Sequence, residues 1–185
     1  VSGLLRGGWS SDDIVVADRR EFRRAEMTAA HGIAAAEHNA DAAAQADTVI
    51  LVVKPQDVPA VLPDIAPVLR PGALLVSLCA GVTTKALESH LPAGTPVVRV
   101  MPNTPALIGA GITGLCALPE VSSEGRATAD RVLRAVGSTV WIEDEARIDG
   151  VTAISGSGPA YVFLFIEALQ QAGATLGFTP EHARQ

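Results

Sequence analysis

Polar and charged residues follow four of the most apolar segments of the sequence, at positions where they could bind a ligand. These groups are Ala17-Asp18-Arg19-Arg20, Val53-Lys54-Pro55-Gln56, Cys79-Ala80-Gly81-Val82 and Met101-Pro102-Asn103-Thr104-Pro105. In a doubly wound α/β sheet, ligands bind in the crevice outside the carboxyl ends of the strands. If the apolar segments are parallel strands, the four groups therefore lie along one binding edge.

The first group indicates the cofactor that such an edge would bind. An acid at the end of the second strand of a dinucleotide fold accepts hydrogen bonds from the adenosine ribose, and a nearby arginine accommodates a 2′-phosphate. Asp18 is followed at once by Arg19 and Arg20, so both features are present. They favour NADPH, with NADH as a possible donor. The alternative is a set of solvated charges at a strand–helix junction.

The other three groups each have a functional and a plain structural interpretation. Lys54 can reach over the sheet edge, or it can be a solvated strand end before Pro55. The pair Ala80-Gly81 allows the backbone to approach a ligand closely, or it can form a tight turn. Asn103 lies in a loop stiffened by two prolines, which could wall an active site or be only a rigid turn.

Several classes of function have little support in the sequence. The four histidines form no catalytic constellation and no metal-ligand spacing, and no nucleophile lies beside a base. Hydrolysis by a triad or a metal is therefore not predicted, and no metal site is expected. The net charge of -6 without a basic stripe argues against nucleic acid. Cys79 and Cys116 lack CxxC spacing and are predicted to be reduced core residues, which favours a cytoplasmic protein.

The elements that would position these residues alternate along the chain. Strands are predicted at 13–18, 47–53, 74–80, 96–101, 111–118 and 138–143, with helices at 20–30, 56–66, 83–90 and 122–136. This alternation predicts a mostly parallel, doubly wound sheet covered on both faces. The strands stop near residue 144 and the sequence is helical from Glu145 onward. We therefore predict a dinucleotide-binding domain at 1–144 and the start of a helical domain at 145–185.

The helix that begins at Pro159 is apolar on nearly every side. A surface helix shows an apolar stripe of about 100°, whereas Tyr161, Val162, Phe163, Leu164, Phe165 and Ile166 surround the whole helix. The apolar run ends at Glu167, short of the ~20 residues that a membrane span needs. We therefore expect this helix to be buried against protein and not in a membrane.

Taken together, the segments resemble pyrroline-5-carboxylate reductase, the NAD(P)H-dependent enzyme of the last step of proline synthesis. The matching stretches are EHNADAAAQADTVILVVKPQ, SLCAGVT, RVMPNTPALIGAGITGL and IDGVTAISGSGPAYVFLFIEAL. The resemblance implies a Rossmann-type domain followed by an all-helical domain that forms an intertwined homodimer, with larger assemblies of dimers in the family. In such an enzyme the helix from Pro159 is buried against helices of the partner subunit and against its own first domain.

The resemblance also implies roles for individual residues. Ala17 to Arg19 match the turn that holds the adenosine ribose end, and Asn39 matches an asparagine that contacts the nucleotide. The cofactor cleft would be lined by Val52, Val53, Lys54, Pro55, Cys79, Ala80 and Gly81. Asn103 falls near the nicotinamide. Glu145 matches a glutamate near the bound substrate, although the local sequence DEAR departs from the family's commonest form.

No catalytic residue is predicted within the chain. A protonated cyclic imine accepts hydride directly, so the protein mainly has to bring the two reactants to ~3–3.5 Å in the right orientation. By the resemblance, the Gly-rich phosphate loop and first strand would precede Val1. The loop that binds the substrate carboxylate, with its threonine, would follow Gln185. We therefore expect residues 1–185 alone to be inactive.

Two other functions remain open at this point. A 3-hydroxyacid or prephenate type of dehydrogenase needs a lysine or histidine base acting on a hydroxyl, and the segment SGSGPAY contains neither. A non-catalytic nucleotide-binding or scaffolding protein would bind the cofactor or self-associate without turnover.

Overall fold

The computed structural model describes all 185 residues as seven strands and eight α-helices. The strands are β1 Val15–Ala17, β2 Ala34–Ala36, β3 Thr48–Leu51, β4 Leu74–Ser77, β5 Val97–Met101, β6 Gly111–Ala117 and β7 Gly137–Trp141. The helices are α1 Ser2–Arg6, α2 Glu21–His31, α3 Asn39–Ala43, α4 Val58–Ile65, α5 Thr84–Glu88, α6 Ser123–Arg134, α7 Arg147–Val151 and α8 Gly158–Thr175. All six predicted strands and all four predicted helices are present, so the predicted α/β class is confirmed.

The strands form one sheet of five and a separate pair. The five-stranded sheet has the order β3-β4-β5-β6-β7, in which β6 is antiparallel to β5 and parallel to β7. The pair β1-β2 is parallel. Parallel neighbours need a crossover of a dozen or more residues, and the loop between Met101 and Gly111 is shorter than that. The short loop therefore turns β6 back alongside β5.

The two faces of the large sheet carry two hydrophobic cores. Leu75 packs in the core that includes α4 and α5, while its neighbour Val76 packs in the core that includes α6. All four residues of β4 are buried. A strand covered on both faces has a continuous apolar run instead of an alternating one, which explains the sequence LLVS.

Two local expectations were wrong. Strand β2 was not predicted, because its three alanines lack the β-branched or aromatic side chains that are typical of strands; it exists through its pairing with β1. Strand β4 also ends before Cys79, because a turn at Ala80 and Gly81 follows.

The chain from Arg147 to Thr175 is one helical run of 29 residues. A π-helical segment, Thr152–Gly156, joins α7 to α8, and the amide of Ser157 donates to the Thr152 carbonyl at 2.8 Å. No residue of α8 is buried, so within this chain the helix is not buried against the first domain, contrary to what the resemblance implied. By length and composition alone, with a mean hydropathy of 1.3 over an 18-residue window, this run could cross a membrane. It is longer than expected because the helix begins before Pro159, and its burial against protein instead of in a membrane stays a prediction.

Candidate active site

The carboxyl ends of β3 and β4 lie side by side and are tied together by Cys79. Its Sγ is 3.4 Å from the Val53 carbonyl and 3.7 Å from the Leu51 carbonyl, so the thiol can donate to both. Burial raises the pKa of the Cys79 thiol. The protonated thiol is therefore a structural donor at this edge, and both cysteines are buried and free as predicted.

A cavity of about 760 Å³ lies between β1 and β3. Four of the predicted cofactor residues line it, namely Ala17, Asn39, Val52 and Val53. The rest of its wall is mostly apolar. On the cavity side neither strand has a partner, since β1 pairs only with β2 and β3 only with β4. The structure thus brings residues from β1, α3 and the end of β3 around one space.

Asp18 is held by Arg20 through both carboxylate oxygens. The Arg20 guanidinium donates to Oδ1 at 3.0 Å and to Oδ2 at 2.8 Å, and the Arg20 backbone amide donates to Oδ1 at 2.9 Å. These bonds hold the pKa of Asp18 well below its usual range. The side chain of Arg24 donates to the carbonyls of Asp18 and Arg19. Arg19 is exposed, and its own guanidinium has no hydrogen-bonding or ionic partner.

The loops after β3 and β4 are exposed at this edge. Lys54 is exposed, and Pro55 begins a short 3-10 helix that leads into α4. Ala80 and Gly81 are also exposed. Gly81 has φ of 74°, in the left-handed region that favours glycine, so the turn after β4 depends on this residue.

Asn103 connects three parts of the chain. Its Oδ1 accepts a hydrogen bond from the Ile112 amide at 2.9 Å, and its Nδ2 donates to the Ser155 hydroxyl at 3.4 Å. The first bond shapes the loop between β5 and β6. The second links that loop to the π-helical segment, so the predicted nicotinamide loop and the helical part of the chain meet at Asn103.

Glu145 accepts three hydrogen bonds from the sheet region. Its Oε1 accepts from the Thr84 amide at 2.7 Å and from Arg99 at 2.9 Å, and its Oε2 accepts from the Thr84 hydroxyl at 2.6 Å. Burial by itself would raise the pKa of Glu145, but the bonds from Thr84 and Arg99 outweigh burial and lower it. Its role near the substrate stays a prediction.

Sequence reasoning missed Thr84 and Arg99. Arg99 lies within β5 and is only 4% exposed. A charge inside the apolar run VVRVM was the available signal, because a buried guanidinium requires a carboxylate partner. The partner could not be identified from the sequence, since Glu145 is 46 residues away.

The residues at the edge fit the adenosine half of a phosphorylated dinucleotide. Asp18 is already neutralised by Arg20, which weakens it as an acceptor for ribose hydroxyls, while Arg19 is free to bind a phosphate. Asn39 lines the adjoining cavity. This arrangement has the charge and the donors that a 2′-phosphate requires.

Two family models match the chain. Residues 1–81 match the family described as NADP oxidoreductase coenzyme F420-dependent, and residues 145–185 match the family described as pyrroline-5-carboxylate reductase dimerisation. The chain therefore has a Rossmann-type oxidoreductase domain of the NADP class, followed by a helical segment of a dimerisation domain.

Similar proteins identify the family. The chain is 45% identical over 183 residues to pyrroline-5-carboxylate reductase of Pseudomonas aeruginosa, covering 99% of this chain and 67% of that protein. A structure of the Coxiella burnetii enzyme is 38% identical with a TM-score of 0.93, covering 99% of this chain and 68% of that one. The Plasmodium falciparum reductase with NADP bound is 30% identical with a TM-score of 0.87, covering 98% and 66%. The chain belongs to the pyrroline-5-carboxylate reductase family.

Proposed function

We propose that the protein reduces 1-pyrroline-5-carboxylate to L-proline, the last step of proline biosynthesis, by hydride transfer from NADPH. It is an NAD(P)H-dependent oxidoreductase that acts on a C=N bond. The observation that carries this proposal is the family relationship, which extends over almost the whole chain.

The bound nicotinamide supplies the hydride. The cyclic imine is basic enough to be protonated near neutral pH, and the iminium carbon is then electrophilic without an acid from the protein. The chain therefore has to bind the cofactor and the imine, orient them and exclude water. Correct placement of the two reactants can lower an activation barrier by roughly 7–11 kcal/mol. No residue of the chain is assigned a proton transfer to the substrate.

The residues at the sheet edge hold the cofactor in this proposal. Arg19 binds the 2′-phosphate, and Ala17, Asp18 and Arg20 shape the turn around the ribose. Asn39 contacts the nucleotide. The backbone of the two loops after β3 and β4 lines the cleft through Val52, Val53, Lys54, Pro55, Cys79, Ala80 and Gly81. Asn103 walls the nicotinamide end, which its hydrogen bonds to Ile112 and Ser155 support.

The cavity between β1 and β3 takes a further parallel strand, and the Gly-rich phosphate loop follows that strand. The two unpaired strand edges that face each other across the cavity support this placement, because unpaired backbone groups of a buried edge need partners. The binding domain then comprises 1–144 and the helical domain begins at Glu145.

The protein forms a homodimer through α8 in the cytoplasm, and dimers can assemble further. The dimerisation family matched by 145–185 and the exposed apolar side chains of α8 support this. A partner helix would cover the same surface that makes the Arg147–Thr175 run apolar enough for a membrane.

The test is oxidation of NADPH and of NADH by the full-length protein, with and without 1-pyrroline-5-carboxylate. We expect imine-dependent oxidation that is faster with NADPH. Cofactor binding without imine-dependent turnover would overturn the proposal and would favour a non-catalytic role.

A further inference from the structure

The guanidinium of Arg99 binds carboxylates from only one short segment of the chain. It binds Glu145 at 2.9 Å and Asp149 at 3.3 Å, on either side of the start of α7. Asp149 is 80% exposed, whereas Glu145 is 27% exposed. A buried cation without a partner is strongly unfavourable. Arg99 therefore fixes the start of the helical segment to the middle of the sheet, mainly through Glu145.

The carboxylate of Glu145 also fixes the loop that follows β4. Thr84 is the first residue of α5 and ends that loop, which consists of residues 78–83. Thr84 is 6% exposed and donates both its amide and its hydroxyl to Glu145, at 2.7 and 2.6 Å. Two short bonds from one residue define both the position and the orientation of the loop end.

Three structural units therefore meet at one carboxylate. Arg99 belongs to the sheet. Thr84 directly follows the loop that contains the proposed cofactor residues Ala80 and Gly81, and Glu145 lies two residues before α7. We call Glu145, Thr84 and Arg99 the clasp. The carboxylate of Glu145 accepts two hydrogen bonds from Thr84 and one from Arg99, so it links the loop and the sheet.

We propose that the clasp positions the loop after β4 relative to the helical domain, and thereby sets the distance between the nicotinamide and the imine. The inference rests on the proposed function. Glu145, Thr84 and Arg99 are positioning residues here, because they act through the loop and not on the reacting atoms. A loosened clasp leaves both ligands bound but misaligned, and misalignment of about 1 Å can lower a rate by a factor of about 100.

Thr84→Val tests the clasp with the smallest change. It keeps the size of the side chain and the amide donor, and it removes only the hydroxyl that binds Oε2 of Glu145. Thr84→Ser keeps the hydroxyl and is the rescue variant. Thr95→Val is the matched control, because the Thr95 hydroxyl donates only to the Pro92 carbonyl, in the turn before β5 and outside the loop after β4.

The measurements are kcat, KM for the imine, the affinity for NADPH by fluorescence titration, and the isotope effect with NADPH deuterated at the transferred hydrogen. For Thr84→Val in the full-length protein we expect kcat to fall by about tenfold or more. KM and NADPH affinity should stay within about threefold, since binding contacts are kept. The isotope effect on kcat should rise, because hydride transfer becomes the slow step. Thr84→Ser should restore kcat, and Thr95→Val should leave all four quantities near wild type.

Equal kcat and isotope effects for Thr84→Val and Thr95→Val would overturn the proposal. The proposal would also be overturned if KM for the imine rose in Glu145→Gln but not in Thr84→Val, because Glu145 would then contact the substrate directly.

Hydrogen exchange separates this proposal from the function on which it rests. With no ligand present, Thr84→Val should speed exchange both in residues 80–84 and in residues 146–150, whereas Thr95→Val should speed it only in the turn before β5. Absence of imine-dependent turnover in the wild-type protein would overturn the proposed function. Unchanged hydrogen exchange in residues 146–150 of Thr84→Val would overturn the clasp proposal.

Discussion

Strand β4 and helix α8 both contain apolar runs, yet they have opposite surroundings. Every residue of β4 is buried between the two cores, while none of α8 is. The exposed fraction of the α8 side chains Tyr161, Phe163 and Phe165 is 60–64%. The chain encloses β4 with its own helices, whereas the apolar side chains of α8 stay exposed. Apolar composition therefore predicts burial in both regions, but only in β4 does this chain provide the partner.

The contrast indicates that the sheet region folds around its own core, whereas α8 is an interaction surface. Exposed apolar surface that is this extensive marks an interaction site in a soluble protein. The family description of 145–185 as a dimerisation domain agrees with that interpretation. Stability of the sheet region should then depend on its own packing, and that of α8 on association.

The largest expected effect comes from the core of the sheet. Leu75 is 1% exposed, and Leu75→Ala should lower the free energy of unfolding by about 2–5 kcal/mol, because it leaves a cavity between β4 and α4. Urea unfolding measures the change. Leu107→Ala is the matched control at 84% exposure and should change stability by about 0.5 kcal/mol or less. Similar losses for the two variants would contradict the assignment of the core.

The second effect concerns α8. Residues two apart on a helix point about 200° apart, so at least one of Phe163 and Phe165 should face a partner. The double change Phe163→Ala/Phe165→Ala should weaken the dimer by about 2 kcal/mol or more, about 30-fold in the dissociation constant. Sedimentation equilibrium measures it. Gln171→Ala on the same helix is the control, and an unchanged dimer in the double variant would place the interface elsewhere.

The third effect concerns the charged edge of the sheet region. Arg19→Ala should weaken NADPH binding by about tenfold and leave NADH within about twofold, because a charge-assisted bond is worth about 1.5–3 kcal/mol. Arg20→Ala should instead improve NADH relative to NADPH, since it frees Asp18 to accept from ribose hydroxyls. Fluorescence titration measures both affinities. Arg23→Ala, whose arginine is paired with Glu26 on α2, is the control. A larger NADPH loss in Arg20→Ala than in Arg19→Ala would reverse the two roles.

The smallest effect is the pH dependence of the clasp, which joins the two regions. The pKa of Glu145 is lowered in the folded state, so the stabilisation is complete above the unfolded value of about 4.3 and is lost as pH falls through the folded value. The free energy of unfolding of the wild type should exceed that of Glu145→Gln by a constant ~1 kcal/mol between pH 7 and 5. The loss is smaller than that for an unpaired buried charge, because the glutamine oxygen still accepts from Arg99 and Asp149 still pairs with it. The difference should shrink below pH ~4. Urea unfolding at several pH values tests this, with Glu143→Gln as the control; a pH-independent difference would mean that the charge of Glu145 has no part in the contact.

The site residues that could be predicted are those whose position follows from a neighbouring strand in the sequence. Asp18, Lys54, Ala80 and Asn103 each follow an apolar strand, so a strand prediction was enough to place them at one edge. The pairing of Asp18 with Arg20 instead of Arg19 was not predictable, because it depends on side-chain directions at the start of α2. Strand β2 was missed for a similar reason: three alanines have no strand preference of their own, and β1 provides the pairing.

The sequence by itself determined the order of strands and helices, the family, and the apolar character of α8, because these follow from side-chain periodicity and from motifs within short segments. The tertiary structure decided which charges meet. Arg99, Thr84 and Glu145 are separated by 46 and 61 residues from carboxylate to donor, and no local pattern encodes such a distance. They come together because β5 and the start of α5 lie against the segment that opens the helical domain. A buried guanidinium stays there only with a carboxylate to accept its hydrogen bonds.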